Sequence, residues 1–221
     1  MSRPDLDPCR PIPAVVLAGG LARRMGGGDK PLVEIGGRPM LDHVLERLRP
    51  QVDAIVINAN GDPARFAAFG LPVVADTGEG HAGPLAGVLA GMRWAELAMP
   101  AARFIVSVAG DTPFFPRNLV ARLSEGCGRD EDTIALAASP DGTHPVFGLW
   151  PIALADALEA FLRSGESGKI LAFTDRHVRL NVPFETIAAA GEEIDPFYNV
   201  NTPEEAERAA GIARALEGET A

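Results

Sequence analysis

The sequence is poor in lysine and cysteine and has no long apolar run. Of its 20 basic residues only Lys30 and Lys169 are lysines, so each is a candidate for a specific role. Cys9 and Cys127 are too few for a disulfide framework. Every apolar run is shorter than the ~20 residues that a membrane helix needs, and residues 1–13 lack the apolar segment of a secretory signal. These absences argue against disulfide-rich and membrane-spanning classes and indicate a cytoplasmic protein.

Acidic residues outnumber basic ones, 30 to 20, which gives a net charge of −10 and a pI near 4.9. Such a chain repels nucleic acid and anionic membranes, so neither is expected as a partner. The excess is local, because residues 185–221 hold nine acids and two arginines, whereas residues 14–39 hold four bases and two acids. The charge therefore does not exclude a polyphosphate ligand near the N-terminal segment.

Length and composition indicate one globular domain. The 221 residues are 47% apolar and 23% charged, which is typical of a chain with a full hydrophobic core. Residues 1–13 contain four prolines and no periodicity, so we interpret them as a loose leader. The domain is predicted over residues 14–217, with no evident internal boundary.

Short apolar runs alternate with helical patterns, which predicts an α/β fold with a mostly parallel central sheet and helices on both faces. Strands are predicted at 14–17, 53–57, 71–75, 103–108, 133–138, 145–150 and 177–182, and helices at 39–49, 63–69, 84–98, 152–163, 203–216 and from about 116. Ligands of such sheets bind beyond the carboxyl ends of the strands. The residues that follow the first four strands should therefore cluster: Gly19, Gly20, Asn58, Asp76 and Asp111.

The segment LAGGLARRMGGGDKPL follows the first predicted strand and has the chemistry of a phosphate-binding loop. Its spacing matches neither a Walker A loop nor GxGxxG. Gly19 and Gly20 allow close backbone approach and offer unhindered N–H groups to an anion. Arg23, Arg24 and Lys30 add positive charge. The planar guanidinium of arginine and the compact ammonium of lysine suit two different contacts on a polyphosphate. The alternative interpretation is a flexible surface loop with solvated arginines.

This loop resembles that of the molybdenum cofactor guanylyltransferases, the MobA-type enzymes of the nucleotidyltransferase superfamily. Further elements match in order: Asn58-Ala-Asn60, Val74-Ala75-Asp76, Gly83-Pro84-Leu85-Ala86-Gly87, Gly110-Asp111-Thr112-Pro113, His144-Pro145 and Asn199-Val-Asn201-Thr-Pro203-Glu. Together they extend over most of the chain and are far more specific than any one alone. The resemblance implies a single-domain Rossmann-like nucleotide-diphospho-sugar transferase fold.

The resemblance also implies the residues of the site. Arg24, Lys30 and Asp111 would be catalytic, with Asp111 holding Mg²⁺, for which Mn²⁺ is a substitute. The acceptor would be bound by residues of the C-terminal half: His144, Lys169, Asn199 and Asn201. The nucleotide would be bound by Leu17, Ala18, Gly19, Gly20, Lys30, Asn58, Asp76, Gly83 and Asp111.

The implied reaction uses GTP and molybdopterin as substrates. The terminal phosphate of molybdopterin would attack the α-phosphorus of GTP in line and release pyrophosphate, while Arg24 and Lys30 stabilise the triphosphate charge. No general base is required, because the attacking phosphate is already ionised, and no Ser–His or Cys–His arrangement is evident in the sequence. A GTP-binding accessory protein and apo-molybdoenzymes are implied as partners.

Several of these residues also have plain structural interpretations. Asp111 could cap a helix, Asn58 could bond locally in a turn, and the segment from Gly83 could be a close-packed helix entry. Lys169 and the loop residue His81 could simply be solvated. Near the C-terminus, Asn201 or Thr202 could cap the last helix, which makes Asn199 the better candidate for ligand contact.

Rival functions remain open at this stage. Within the class, these are a cytidylyltransferase for the same acceptor and a sugar-phosphate nucleotidyltransferase. The cytidylyl relatives look like LAAG where this chain has LAGG, and Gly19 in place of their alanine leaves room for a larger purine. Outside it, the rival is a nucleotide-binding regulatory module without turnover, although the presence of both Lys30 and Asp111 argues against it. Three glycines at 26–28 predict a loop that is poorly ordered without nucleotide.

Overall fold

The computed structural model describes residues 10–20, 28–77, 83–127 and 130–218. The strands are β1 (Pro13–Leu17), β2 (Glu34–Ile35), β3 (Arg38–Pro39), β4 (Ala54–Asn58), β5 (Val73–Val74), β6 (Phe104–Ala109), β7 (Ile134–Ser139), β8 (Gly142–Pro151), β9 (Arg179–Pro183), β10 (Ile187–Ala189) and β11 (Glu192–Ile194). The helices are α1 (Met40–Leu48), α2 (Pro84–Ala98), α3 (Leu119–Cys127), α4 (Ala155–Ser164), α5 (Ile170–Thr174) and α6 (Pro203–Gly218). Short 3₁₀ helices span Lys30–Leu32, Arg49–Gln51, Pro63–Phe69 and Ile152–Leu154.

Seven strands form the central sheet, in the order β5-β4-β1-β6-β8-β7-β9. Only β8 runs antiparallel to its neighbours, β6 and β7. All other neighbouring pairs are parallel. The predicted mostly parallel α/β sheet is therefore confirmed, and six strands direct their carboxyl ends to one edge.

Helices cover both faces of this sheet. In β1 successive side chains point to opposite faces, so Val16 packs with α1 and α3 whereas Val15 packs with α2 and α4. The α2 helix lies very close to the sheet, because a Cβ at Gly91 would be only 2.6 Å from the Cβ of Val15. The continuous apolar sequence of β1 follows from burial on both sides.

A third, smaller core lies around α6. Ile35 of β2, Met40 of α1 and Ile194 of β11 pack there against Ala209 and Ile212 of the last helix. This cluster fastens the C-terminal segment onto the part of the chain that follows the glycine-rich loop. It therefore brings residues from opposite ends of the sequence together.

The structure corrects several element boundaries. The helix expected from about 116 begins at Leu119, and the one expected over 152–163 is a 3₁₀ turn followed by α4. The helix at 63–69 is 3₁₀ throughout, and the third strand is reduced to Val73–Val74. The sequence prediction missed β2, β3, β10, β11 and α5, which are all five residues or shorter.

Within the described ranges, no helix is long and apolar enough to cross a membrane. Cys127 is buried at the end of α3, and burial raises the pKa of its thiol to about 12, so the thiol stays protonated. Cys9 and most of the predicted leader lie outside the described residues.

Candidate active site

The parallel strands end in register at one edge. Leu17, the last residue of β1, pairs with Asn58 on one side and with Ala109 on the other. Just beyond this row, the N–H of Ala18 donates to the carbonyl of Asn58 over 2.8 Å, and that of Gly110 donates to Leu17 over 3.0 Å. The residues after four strands therefore share one edge, as the sequence predicts.

Gly19 and Gly20 are exposed at this edge. A Cβ at Gly19 would meet no atom of the described residues within 4 Å, so none of them occupies the space in front of this backbone. Among the described residues, a Cβ at Gly20 would touch the side chain of Lys30 alone, at 3.9 Å. These glycines thus present backbone that a ligand can approach, which is the use that phosphate-binding turns make of glycine.

Lys30 is the buried cation of the site, with a residue exposure of only 7%. Its Nζ donates to Asp111 Oδ2 over 2.5 Å, to Asn201 Oδ1 over 2.6 Å and to Asn199 Oδ1 over 3.0 Å. A lysine ammonium has three donors, and here three oxygen acceptors surround it. We call these three residues the Lys30 cage: Asp111, Asn199 and Asn201.

Backbone contacts hold this cage in place. The carbonyl of Asp111 accepts from the N–H of Val200 over 3.1 Å, which fixes the C-terminal segment beside the end of β6. A Cβ at Gly110 would be 3.0 Å from Pro31 Cγ, so the turn after Lys30 packs directly on the glycine before Asp111. The expected alternative for Asp111, a helix cap, is wrong because α3 begins eight residues later, at Leu119.

Thr202, rather than Asn201, caps α6. Its Oγ1 accepts from the N–H of Glu205, while Glu205 Oε2 accepts from the N–H of Thr202 and of Asn201. This reciprocal pattern is a capping box. The side-chain oxygen of Asn201 is consequently available to Lys30, so both asparagines, and not Asn199 alone, reach the site.

A second polar network lies beyond β4 and β5. Asp76 Oδ1 accepts from Asn58 Nδ2 over 2.9 Å, and Asp76 Oδ2 accepts from Asn60 Nδ2 over 2.7 Å. The N–H of Asp76 in turn donates to Asn60 Oδ1 over 2.9 Å. Both carboxylate oxygens of Asp76 are thus oriented by amides. Asn58 is also packed by α2, because a Cβ at Gly87 would be 2.3 Å from its Oδ1.

The entry to α2 lies beside the loop that carries Lys169. Gly83 precedes the helix at φ +126°, a conformation that side chains rarely adopt, and its missing Cβ would point to the carbonyl of Gly168 at 3.8 Å. Lys169 precedes α5 and is exposed. The structure therefore places Lys169 near the start of α2, without an ion pair to any described residue, and its predicted contact with the acceptor stays a prediction.

His144 belongs to a separate cluster in the C-terminal half. Its Nε2 lies 2.7 Å from Ser139 Oγ, Ser139 Oγ also contacts Asp195 Oδ2, and the imidazole stacks on Phe197 with ring centroids 4.5 Å apart. Burial lowers the pKa of His144 more than Asp195 and Asp141 raise it, so the ring is neutral at pH 7.

This cluster is a Ser–His arrangement that the sequence did not reveal, because its members come from β7, β8 and the segment after β11. It is not arranged for nucleophilic catalysis. The carboxylate of Asp195 can only accept, so it takes the Ser139 hydroxyl hydrogen, and Ser139 Oγ then accepts from His144. The serine is bound by the acid rather than activated by the histidine.

Some predicted residues lie outside the described ranges. These are Arg23, Arg24, His81 and the first two of the three consecutive glycines, so the predictions on Arg24 and on loop order stay predictions. An open cleft of about 560 Å³, lined by Arg103, Glu131 and Ile152 among others, lies where β6 begins and β8 ends. That is the opposite edge of the sheet, and no predicted site residue lines the cleft.

Exposed glycines and a buried lysine–carboxylate pair thus meet where parallel strands end, which is the position at which α/β sheets bind nucleotides. The fold and the site define the class of nucleotidyltransferases. Residues 14–182 match the family model of the MobA-like NTP transferase domain, and the chain belongs to this family.

Relatives in this family match nearly the whole chain. A molybdenum cofactor guanylyltransferase of Bradyrhizobium sp. (strain ORS 278) is 52% identical over 91% of this chain and 94% of its own length. The enzyme of the same name from Rhizobium meliloti (strain 1021) is 50% identical over 89% of both chains.

Solved structures agree in fold. Molybdopterin-guanine dinucleotide biosynthesis protein A from Archaeoglobus fulgidus superimposes with a TM-score of 0.70 at 22% identity, covering 91% of this chain and 98% of its own. A Mycobacterium tuberculosis protein in complex with manganese gives a TM-score of 0.60 at 20% identity, covering 90% and 98%. At such identities the likeness shows the nucleotidyltransferase fold.

Proposed function

We propose that this protein transfers GMP from GTP to the terminal phosphate of molybdopterin and releases pyrophosphate. The observation that carries the proposal is 52% identity, over nine-tenths of the chain, to a relative named molybdenum cofactor guanylyltransferase. The site supports it, because exposed backbone donors, a buried lysine and an aspartate converge at the edge where the nucleotide would lie.

The chain offers separate contacts to the two ends of GTP. Gly19 and Gly20 are exposed and carry no side chain to block a ligand, so their backbone suits the triphosphate. Asp76, held by Asn58 and Asn60, presents an oriented carboxylate that suits the N–H groups of guanine or the ribose hydroxyls. The exposed Lys169, near the N-terminus of α2, is a candidate for a phosphate of either substrate.

The Lys30 cage fits a divalent cation. Asp111 Oδ2 and the two amide oxygens all approach one point, the Lys30 Nζ, within 3.0 Å. The described residues contain no group of three or more acidic, histidine or cysteine side chains that could hold a metal. Magnesium commonly uses one or two carboxylates plus substrate phosphates. Asp111 would therefore hold Mg²⁺ or Mn²⁺, which neutralises charge on the triphosphate.

Lys30 must change partners for catalysis. Its three donors are all directed at the cage, so contact with a phosphate oxygen requires that it release at least one of these oxygens. The released oxygen then becomes available to a cation or to the acceptor. Lys30 and Arg24 would stabilise the triphosphate and the departing pyrophosphate.

The chain needs no general base for this transfer, because the terminal phosphate of the acceptor is already ionised at neutral pH. Its task is to bring that phosphate in line with the α-phosphorus and to exclude competing water. Asn199 and Asn201 bond Lys30, and Phe197, two residues before Asn199, stacks on His144 in the C-terminal half. This half is our proposed acceptor site.

The first prediction tests the metal role. Asp111→Asn preserves shape and removes the carboxylate charge, so Mg²⁺-dependent GMP transfer should fall at least 100-fold while the protein stays folded. The measurement is pyrophosphate release with GTP, molybdopterin and Mg²⁺, together with circular dichroism. Asp156→Asn, at a position whose side chain is 90% exposed on α4, is the matched control and should keep full activity.

The same assay separates the rivals. Turnover with GTP but not with CTP, ATP or UTP supports the proposal, and preferential turnover with CTP would replace it by a cytidylyltransferase. Tight nucleotide binding without turnover would indicate a regulatory module instead. The domain limits 14–217, the cytoplasmic location and the protein partners stay predictions.

A further inference from the structure

Arg65 connects two parts of the candidate nucleotide site. It lies in the 3₁₀ helix Pro63–Phe69, outside every motif described above. Its Nη1 donates to Asp29 Oδ1 over 2.7 Å, and its Nη2 donates to the carbonyl of Asn60 over 2.5 Å. Its Nε donates to the carbonyl of Asp62 over 2.9 Å. All three nitrogens of the guanidinium are thus held by oxygen atoms.

The first contact fixes the end of the glycine-rich loop. Asp29 immediately precedes Lys30, and its side chain is only 10% exposed. The N–H of Lys30 donates to the carbonyl of Gly20 over 3.0 Å, so the loop returns to its own start at this point. Holding Asp29 therefore holds the backbone from which Lys30 and Gly20 reach the phosphate region.

The second contact fixes the residue that orients Asp76. Asn60 both donates to Asp76 Oδ2 and accepts from the Asp76 N–H, so its amide is engaged on two sides. Gly61, at φ +88°, makes the turn that directs the carbonyls of Asn60 and Asp62 to the same guanidinium. Through Asn60, Arg65 acts on the base or ribose side of the site.

Arg65 also neutralises a negative charge close to the proposed phosphate site. Asp29 is an acid in a loop whose proposed ligand is a polyanion, and an unpaired carboxylate there would repel the triphosphate. The ion pair with Arg65 cancels that charge. A lysine, with a single nitrogen, would not reproduce the three contacts that Arg65 makes with separate nitrogens to Asp29, Asn60 and Asp62.

We propose that Arg65 is a positioning residue that couples the phosphate-binding and nucleoside-binding halves of the GTP site. This rests on the proposed function of that site. Because the Asp29 side chain is only 10% exposed, losing Arg65 should lower the free energy of unfolding as well as the affinity for ligand. Affinities are therefore compared on variants that circular dichroism shows to be folded, and Arg65→Lys keeps a positive charge beside Asp29.

The test measures how Arg65→Gln and Arg65→Lys bind GTP, inorganic pyrophosphate and guanosine in Mg²⁺, by competition with a fluorescent GTP analogue. We expect both variants to bind pyrophosphate and guanosine several-fold more weakly, and GTP at least tenfold more weakly. Arg49→Gln is the matched control, because exposed Arg49 also bonds this 3₁₀ helix, at the carbonyl of Phe69, but reaches neither Asp29 nor Asn60.

Two further variants test the phosphate-binding and nucleoside-binding halves separately, without altering Arg65. Asn60→Ala should weaken guanosine binding and leave pyrophosphate binding near wild type. Asp29→Ala removes the loop contact together with its charge, so pyrophosphate binding should change while guanosine binding stays near wild type. Arg65 variants that bind both fragments like wild type, or lose only one of them, would overturn the coupling. Failure of the wild type itself to bind GTP would instead refute the proposed function.

Discussion

At the residue scale, the glycines after β1 and in α2 show how the space around a single atom decides what a position can do. A Cβ at Gly19 would meet no atom within 4 Å in the part of the chain that the structure describes, whereas at Gly87 it would be 2.3 Å from Asn58 Oδ1. The first glycine faces the proposed ligand, and the second allows α2 to pack on the sheet.

The contrast predicts opposite effects of one substitution. Gly19→Ala should leave the free energy of unfolding within about 0.5 kcal/mol of wild type while weakening GTP binding about tenfold, because the added methyl group occupies ligand space. Gly87→Ala should lower the free energy of unfolding by roughly 1–3 kcal/mol through overpacking. Urea unfolding and GTP titration measure both quantities, and a Gly19→Ala protein with wild-type GTP affinity would contradict the assignment.

Lys30 is the other residue whose surroundings are informative. Its ammonium is the internal counter-ion of Asp111, and their side chains are 9% and 17% exposed. Without that ammonium, one carboxylate and two amide oxygens would face each other with no cation between them. The lysine and a metal ion are therefore expected to compete for the same oxygens.

This competition is testable without turnover. Lys30→Met should bind Mn²⁺, in the absence of nucleotide, roughly tenfold more tightly than wild type, because a positive charge has left the site. Electron paramagnetic resonance of free Mn²⁺ measures the affinity. Lys169→Met makes the same charge change at the other lysine and should leave Mn²⁺ affinity unchanged; equal affinities in the two variants would argue against competition.

At the element scale, helix ends place the site residues. Pro203, Thr202 and Glu205 form a helix start that was readable in the sequence as a cap, but the sequence left Asn201 and Thr202 as alternatives. The structure resolves them, because Glu205 closes the capping box on Thr202 and leaves the Asn201 side chain to Lys30. Two consecutive residues therefore have different roles: Asn201 contacts Lys30, and Thr202 caps α6.

Loss of the cap should destabilise the protein by about 1 kcal/mol in Thr202→Ala, because one N–H at the start of α6 loses its acceptor. Urea unfolding followed by circular dichroism measures this. Thr186→Ala is the matched control: its hydroxyl bonds only the side chain of Glu193, so a change within about 0.5 kcal/mol is expected. An equal loss in both variants would mean that the cap contributes nothing specific.

Elements differed in how well the sequence predicted them. The α2 helix was predicted with its observed bounds, because glycine and proline mark its start and its apolar residues continue through it. The missed strands β2, β3, β10 and β11 have two or three residues each, too few to show a period. They form two local hairpins, closed by the two-residue turns Gly36-Gly37 and Ala190-Gly191 at positive φ, and Ile35 and Ile194 pack with α6.

At the scale of the whole molecule, burial sets the protonation of the C-terminal half. Burial lowers the pKa of His144 and of His177 below the ordinary value of 6.5. For each, the unfolded chain binds the proton more readily than the folded one. Their contribution to stability is therefore present above pH 6.5 and is lost as the pH falls below that value.

The free energy of unfolding should accordingly decrease between pH 7.5 and pH 5.5. His144→Asn should make this decrease smaller, since the variant has no imidazole to protonate beside Ser139 and Asp195. Urea unfolding of wild type and variant at the two pH values gives the comparison. A decrease that is as large in His144→Asn as in wild type would exclude this histidine as a source.

The sequence by itself determined the α/β class, the edge of the sheet at which the candidate site residues gather, and the family resemblance that the family match confirms. It could do so because apolar periodicity is local and because parallel strands end at a common edge. The tertiary structure alone decided which groups touch: Lys30 with Asn199 and Asn201, Arg65 with Asp29 and Asn60, and Ser139 with Asp195. These contacts join residues up to 171 positions apart in the sequence. A local sequence pattern cannot predict them, because such residues come together only when the helices and the sheet pack.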